Sequence, residues 1–129
     1  MLTRLQKKQV QYLEDEARLI MFISISSYSA IGGERQRYPW VQQKKFDDGH
    51  SLAKPGESQH EVCMATDLEF FDEDGNWLEV PGKTDIQAVA IHKGKLQKFG
   101  DYWESIDPKN KWGGNFKNLY DPGHFEREL

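Results

Sequence analysis

A single cysteine, Cys63, stands in the whole chain. No internal disulfide can therefore staple the fold, and no cluster of thiolates can hold zinc. Any metal site must be built from histidine and carboxylate. Long apolar runs are missing too: stretches such as Leu19-Ile20-Met21-Phe22-Ile23 fall far short of the ~20 residues that cross a bilayer, and serines follow. No transmembrane helix is encoded, and no membrane partner is expected. Near the start, Arg4, Lys7 and Lys8 are followed by Glu14, Asp15, Glu16 and Arg18, which occupy the place where a signal peptide needs an apolar core. The expectation is cytoplasmic synthesis without an export signal. Positive charge is neither in excess nor gathered into a stripe, with 17 Lys and Arg against 21 Asp and Glu and a net charge of -4. That argues against nucleic acid as a partner.

What remains is a polar chain with enough bulk to fold. Its 129 residues suit one globular domain, spanning 1–129 and expected to act as a monomer, and the 12% aromatic content supplies core material. Leu2, Leu5, Gln9, Tyr12, Leu13 and Ala17 recur at helical spacing, which predicts an amphipathic helix over about 2–18. From Leu19 to Ser27 the composition turns β-branched and aromatic, which predicts a buried strand. Gly32-Gly33 breaks the chain, and a short helix is expected over Trp40 to Phe46. Val62 to Phe71 reads as a strand, joined through Asp74-Gly75-Asn76 to a partner strand at Trp77 to Val80. The acidic run 72–74 lacks the ligand spacing of a calcium loop and reads as a solvated turn. Thr84 is placed to cap a helix whose apolar face includes Ile86, Val89, Ala90 and Leu96, with Gly94 and Gly100 as candidate interruptions. Beyond it the chain is turn-rich, ending in Asp121-Pro122-Gly123 directly before His124.

Two segments, 58–67 and 121–126, each combine one histidine with one aspartate. On a strand over 62–71, Cys63, Ala65, Asp67 and Glu69 share a face opposite Met64, Thr66, Leu68 and Phe70. Asp67 thus has small neighbours, leaving room for an ion and its water, and His60 lies just before the strand. His124 could complete two histidines and one carboxylate, a set that leaves a fourth tetrahedral position open for water. Asp121, three residues earlier, could approach that water and take its proton. Spacing alone favours a plainer reading, His60 and His124 as surface or hydrogen-bonded residues with Asp67 pairing locally, and His50 and His92 receive that reading outright.

Ser58-x-His60, then Ala65-x-Asp67, with Asp121-x-x-His124-Phe125 downstream, resembles the M15 metallopeptidases, the D-alanyl-D-alanine carboxypeptidase and phage endolysin family, whose pattern runs Ser-x-His-x-x-Gly-x-Ala-x-Asp. Trp112-Gly113-Gly114 looks like the segment before the last ligand in L-alanyl-D-glutamate endopeptidases of that family. The resemblance implies a single small α+β domain of the hedgehog and DD-peptidase type, an antiparallel sheet with flanking helices. It implies zinc held by His60, Asp67 and His124, with Asp121 as general base. The expected activity is hydrolysis in the stem peptide of peptidoglycan, at L-alanyl-D-glutamate in preference to the D-alanine terminus, reached after release from the cell if the chain is an endolysin. A D-alanyl-D-alanine carboxypeptidase or dipeptidase, and a catalytically impaired metal-containing wall-binding module, are the alternatives.

Two positions depart from the pattern. Cys63 stands where the family usually has glycine, and is expected as an inert thiol in place of a residue with freer backbone angles. Ser29 stands in the place of a substrate-facing arginine in a Tyr-Arg-Ser segment. Arg35, or failing it Arg37 or Lys117, is the candidate to supply positive charge to a substrate rich in carboxylates.

Overall fold

The computed structural model describes the chain apart from residues 34–38, 52, 55–56 and 58. Three α-helices and a four-stranded antiparallel sheet are found among the described residues. Helix α1 spans Arg4–Ile25, with a capping box in which the Thr3 side chain accepts from the Gln6 amide while the Gln6 side chain accepts from the Thr3 amide. The helix runs straight through Leu19–Ile25, where composition predicts a strand. Leu19 and Ile23 continue the helical face begun by Tyr12, Asp15 and Glu16, so burial against the sheet overrides β propensity. Leu5 and Leu13 are exposed, while Asp15 and Glu16 are buried. The inward face is therefore partly ionic. Asp15 receives the Arg127 guanidinium at 2.7 Å, and Glu16 accepts from the Thr66 hydroxyl at 2.7 Å.

After a left-handed turn at Ser27 (φ 68°), β1 (Ser29–Gly32) pairs with β2 (Ala65–Phe71). Helix α2 occupies Pro39–Asp47, opening on a proline as first helical turns tolerate. The expected hairpin after β2 shrinks to one bridge, Phe71 to Trp77. Asp72 Oδ1 accepts from the amides of Asp74 and Asn76, so the acidic run is a turn, as expected.

Helix α3 spans Ile86–Ile106, capped by Asp85 in place of Thr84. Its buried face is His92, Leu96, Phe99, Gly100 and Trp103, whereas Ile86 and Ala90 are exposed. Neither glycine interrupts it. Gly100 serves packing instead, because a Cβ there would lie 2.1 Å from the Trp112 ring. Strands β3 (Asn110–Trp112) and β4 (His124–Arg127) complete the sheet in the order β1-β2-β4-β3. Tyr12, Leu19 and Ile23 of α1, Leu96, Phe99 and Trp103 of α3, and Leu68, Phe70 and Phe125 of the sheet form one core. Alternation along the strands leaves the opposite sheet face to Asp67, Glu69, His124 and Glu126. No described helix is long and apolar enough to cross a membrane.

Candidate metal centre

Register brings the first two site residues together. In the β2–β4 ladder Asp67 lies directly opposite His124, and Ala65 opposite Glu126. Cross-strand partners share a face, so the carboxylate and the imidazole meet, with His124 Nδ1 3.2 Å from Asp67 Oδ1. Ala65 supplies the small neighbour that the face requires. His60 arrives from the 3₁₀ turn Gln59–Val62 that leads into β2. That turn ends in a Schellman arrangement: the Met64 amide donates to Gln59 O and the Cys63 amide to His60 O. The residue that must turn left-handed in such a motif is Cys63, and it does, at φ 56°. A glycine, which the resembled pattern has at this position, would take that angle without steric cost. The Gln9 side chain, reaching over from α1, donates to Val62 O at 2.9 Å and anchors the turn.

His60 is 1% exposed, and its Nε2 lies 3.3 Å from Asp67 Oδ1. Donor atoms of His60, Asp67 and His124 all fall within 4.8 Å of one another. A tetrahedral zinc with bonds of about 2.0–2.1 Å separates its donors by about 3.3 Å, so the two measured contacts to Asp67 have the spacing that such an ion requires. Two imidazoles and a carboxylate are also a fitting donor set for zinc.

The electrostatics favour a cation at this point. Burial works against the Asp67 carboxylate, but hydrogen bonds from His124 and His60 outweigh it and hold the group well below the usual carboxylate range. Burial likewise disfavours a charged His124, yet hydrogen bonds to Asp67 and Glu126, aided by the Asp121 charge, push it up to about 9. Glu126 is the residue that sequence reasoning missed. It lies two along from His124 on β4, hence on the same face, and its Oε1 is 2.7 Å from His124 Nε2. With Glu126 accepting the Nε2 proton, a neutral His124 presents the Nδ1 lone pair towards Asp67. Reading 124–127 as a strand would have exposed this His-x-Glu pair; a turn conceals it.

Asp121 is half-buried and lines a cleft of about 440 Å³ together with Asp67, His124 and Glu126. Its position is set by the turn Asp121-Pro122-Gly123-His124, closed by the His124 amide donating to Asp121 O. The Trp112 indole donates to Pro122 O at 2.7 Å, the Asp121 amide to Gly113 O, and the Leu68 amide to Gly123 O. A Cβ on Gly113 would lie 2.1 Å from Asp121 O, and one on Gly114 2.2 Å from the Trp112 ring. The Trp-Gly-Gly segment is thus the clamp that holds the Asp121–His124 turn.

Lys45, His50 and Lys117 line the same cleft. Arg35 and Arg37 lie outside the described residues, as does Ser58. Ser29 pairs with Phe71, four residues along β2 from Asp67 and so roughly 13 Å away. Its departure from the family pattern does not touch the donor cluster. His92, read as an ordinary hydrogen-bonded residue, has its Nδ1 2.6 Å from the Tyr120 hydroxyl.

Fold and donors define a class: a small α+β protein with a His-Asp-His cluster able to hold a divalent ion at a cleft. More particularly, the chain belongs to the M15 peptidase family, residues 52–127, over half of its length, matching the model described as D-alanyl-D-alanine carboxypeptidase. The L-Ala D-Glu endopeptidase ChiX of Serratia marcescens has a similar fold, with a TM-score of 0.55 over 95% of this chain and 79% of that one, at 19% identity. No curated protein sequence matches the chain.

Proposed function

We propose that this chain is a zinc-dependent peptidoglycan peptidase that hydrolyses an amide bond of the cell-wall stem peptide, the L-alanyl-D-glutamate bond in preference to a terminal D-alanyl-D-alanine. The observation that carries this is the donor spacing of His60, Asp67 and His124, of which Asp67 and His124 line a cleft together with Asp121. His60, Asp67 and His124 would hold the ion, Asp67 as the anionic ligand and His124 through Nδ1. Zinc, when bound, activates water and polarises the scissile carbonyl. Asp121 is the group in the cleft suited to accept the proton of the attacking water and deliver it to the departing amine. Its backbone, clamped between Gly113 and His124, keeps it beside the donors without strand pairing of its own. Glu126 holds His124 in the ligating tautomer, and the Phe116 ring, 5.7 Å from that of His124, shields the imidazole.

An internal bond suits the cleft better than a chain end. Asp67 and Asp121 line the main cleft and also a recess of about 170 Å³ bordered by Leu78, Val80 and His92. Open volume thus borders the two carboxylates on more than one side, which leaves room for peptide on both sides of a scissile bond. The likeness to an L-Ala D-Glu endopeptidase points the same way.

The test is digestion of purified sacculi and defined muropeptides by zinc-loaded protein, with assignment of the newly freed amino group. Expected is a new glutamate amino terminus, lost with a chelator and restored by zinc. Asp121→Ala should retain zinc and lose about 10²–10⁴-fold in kcat. Turnover that survives chelation overturns the metal role, and an active Asp121→Ala overturns the base. Release of D-alanine alone reassigns the scissile bond.

A further inference from the structure

Beside the donor cleft, across the segment Phe116 to Leu119 that lines both, lies a second cleft of about 490 Å³. We propose that this second cleft is an anionic-peptide subsite in which Lys83, Lys93 and Lys117 receive the carboxylate-bearing part of the substrate downstream of the scissile bond. The inference rests on the peptidase function proposed above and extends it to substrate selection.

Charge is the first observation. Lys83, Lys93 and Lys117 border the cleft and no described acidic residue does, although the chain as a whole carries a net charge of -4. Among the described residues none of the three lysines has an ion pair. The donor cleft differs, because Glu57, Asp67, Asp121 and Glu126 line it. One cleft is mixed and acid-rich, the other purely cationic.

The second observation is the apolar part of the lining. Val80 and Ile86 are 46% and 80% exposed there, and Val89 adds to the same surface. Aliphatic groups and ammonium groups lining one cleft suit a peptide with carboxylates on an aliphatic backbone, in which the chain packs and the charges pair. The wall is fixed as well: Tyr120 lines the cleft and its hydroxyl is tied to His92. Burial pushes Tyr120 up to about 12 and holds His92 below its ordinary value, so neither adds charge near neutral pH.

Substrate chemistry supplies the direction. In a stem peptide cut after L-alanine, free carboxylates lie on the D-glutamate side, while the alanine side is joined as an uncharged amide. A cationic subsite can then recognise only the downstream portion. Continuity through Phe116, which lines both clefts and packs against His124, places that portion one step from the donors.

Two stem peptides test this, identical except that every carboxylate beyond the scissile bond is converted to carboxamide in one. Wild-type protein should show a KM about tenfold lower for the carboxylate form, the value of two exposed charge pairs near the top of their usual range. The preference should fade as salt rises. In Lys83→Gln/Lys93→Gln it should fall below about twofold, whereas Arg4→Gln/Lys7→Gln, an equal charge change at exposed positions of α1, should keep it. Binding of the free acidic product peptide, followed by shifts of the Lys83 and Lys93 side-chain resonances, tests the subsite without hydrolysis. If no stem peptide is cut but the product peptide binds the wild type and not the double variant, the peptidase function falls and the subsite stands. If the wild type shows no preference, or the double variant keeps it or binds product as wild type does, the subsite is overturned.

Discussion

His124 and His60 reach the same point by different physical means. The turn that delivers His124 is clamped from three sides, by the Trp112 indole on Pro122, by Gly113 on Asp121 and by Leu68 on Gly123. Its tolerances are set by contact distances, since Cβ atoms on Gly113, Gly114 or Gly123 would overlap their neighbours. Among the described residues, the turn that delivers His60 is held by two backbone hydrogen bonds closing its end and one from Gln9, and it closes on a cysteine in a backbone conformation that disfavours side chains. One arm is tight and unstrained; the other is looser and strained. Added volume should therefore damage the first, and removed volume should improve the second.

The largest effect expected is at Gly113. Gly113→Ala puts a methyl group 2.1 Å from Asp121 O and 2.9 Å from His124 Cβ, so backbone must move at the base and at a donor together. Stability should fall by about 3 kcal/mol, at the upper end of overpacking costs, read by urea unfolding of the metal-free protein. Gly94→Ala is the control. Nothing lies within 4 Å of its would-be Cβ on α3, and it should gain about 0.5–1 kcal/mol from helix propensity. Equal effects at the two glycines would remove the clamp from the account.

Glu126→Ala sharpens the comparison inside the tight arm, because it takes away the partner of His124 Nε2 without altering the turn. Zinc affinity should drop about 10–100-fold at pH 9, as is usual for loss of a hydrogen-bonding partner behind a ligand. The pH dependence carries the sign. His124 titrates near 9 in the metal-free protein, above its ordinary 6.5, so this protonated pairing stabilises the metal-free fold fully below pH 6.5 and is lost as pH rises through 9. Zinc must displace that proton. Affinity should therefore rise with pH up to about 9 in the wild type and level off at lower pH in Glu126→Ala, measured by chelator competition. A variant with the wild-type profile would show that Glu126 does not set the state of His124.

The same comparison explains what could be read from the chain beforehand. Short local motifs drew notice to the three residues that the structure brings together, a histidine before a strand, an aspartate on its open face and a histidine after a Pro-Gly turn, but it was the family resemblance and not the spacing that separated them from ordinary hydrogen-bonded residues. The face of Asp67 followed from period-two alternation alone. Glu126 was hidden, since its role depends on β4 being a strand, and β4 exists only by pairing with β2 and β3 on either side. Leu19–Ile25 misled for a related reason: β-branched composition is a weak local signal, and the helix wins by burying Leu19 and Ile23 against the sheet. The ionic inner face of α1 could not be seen either, because the partners of Asp15 and Glu16, Arg127 and Thr66, lie far along the chain.

The smallest effect is the most direct test of the strained arm. Cys63 occupies the left-handed position of the Schellman turn at φ 56°, which costs a side-chain-bearing residue roughly 1–2 kcal/mol. Glycine removes that cost but frees the unfolded chain, which returns about 0.5–1 kcal/mol. Cys63→Gly should therefore be more stable by about 0.5–1 kcal/mol, with Tm higher by roughly 2–4 °C. Cys63→Ala keeps the Cβ and should gain nothing. Zinc affinity should change little in either, because Asp67 and the clamped His124 already fix two of the three donors. If Cys63→Ala matches Cys63→Gly, the thiol and not the backbone angle is the source of the strain, and the turn that carries His60 is as well fitted as the one that carries His124.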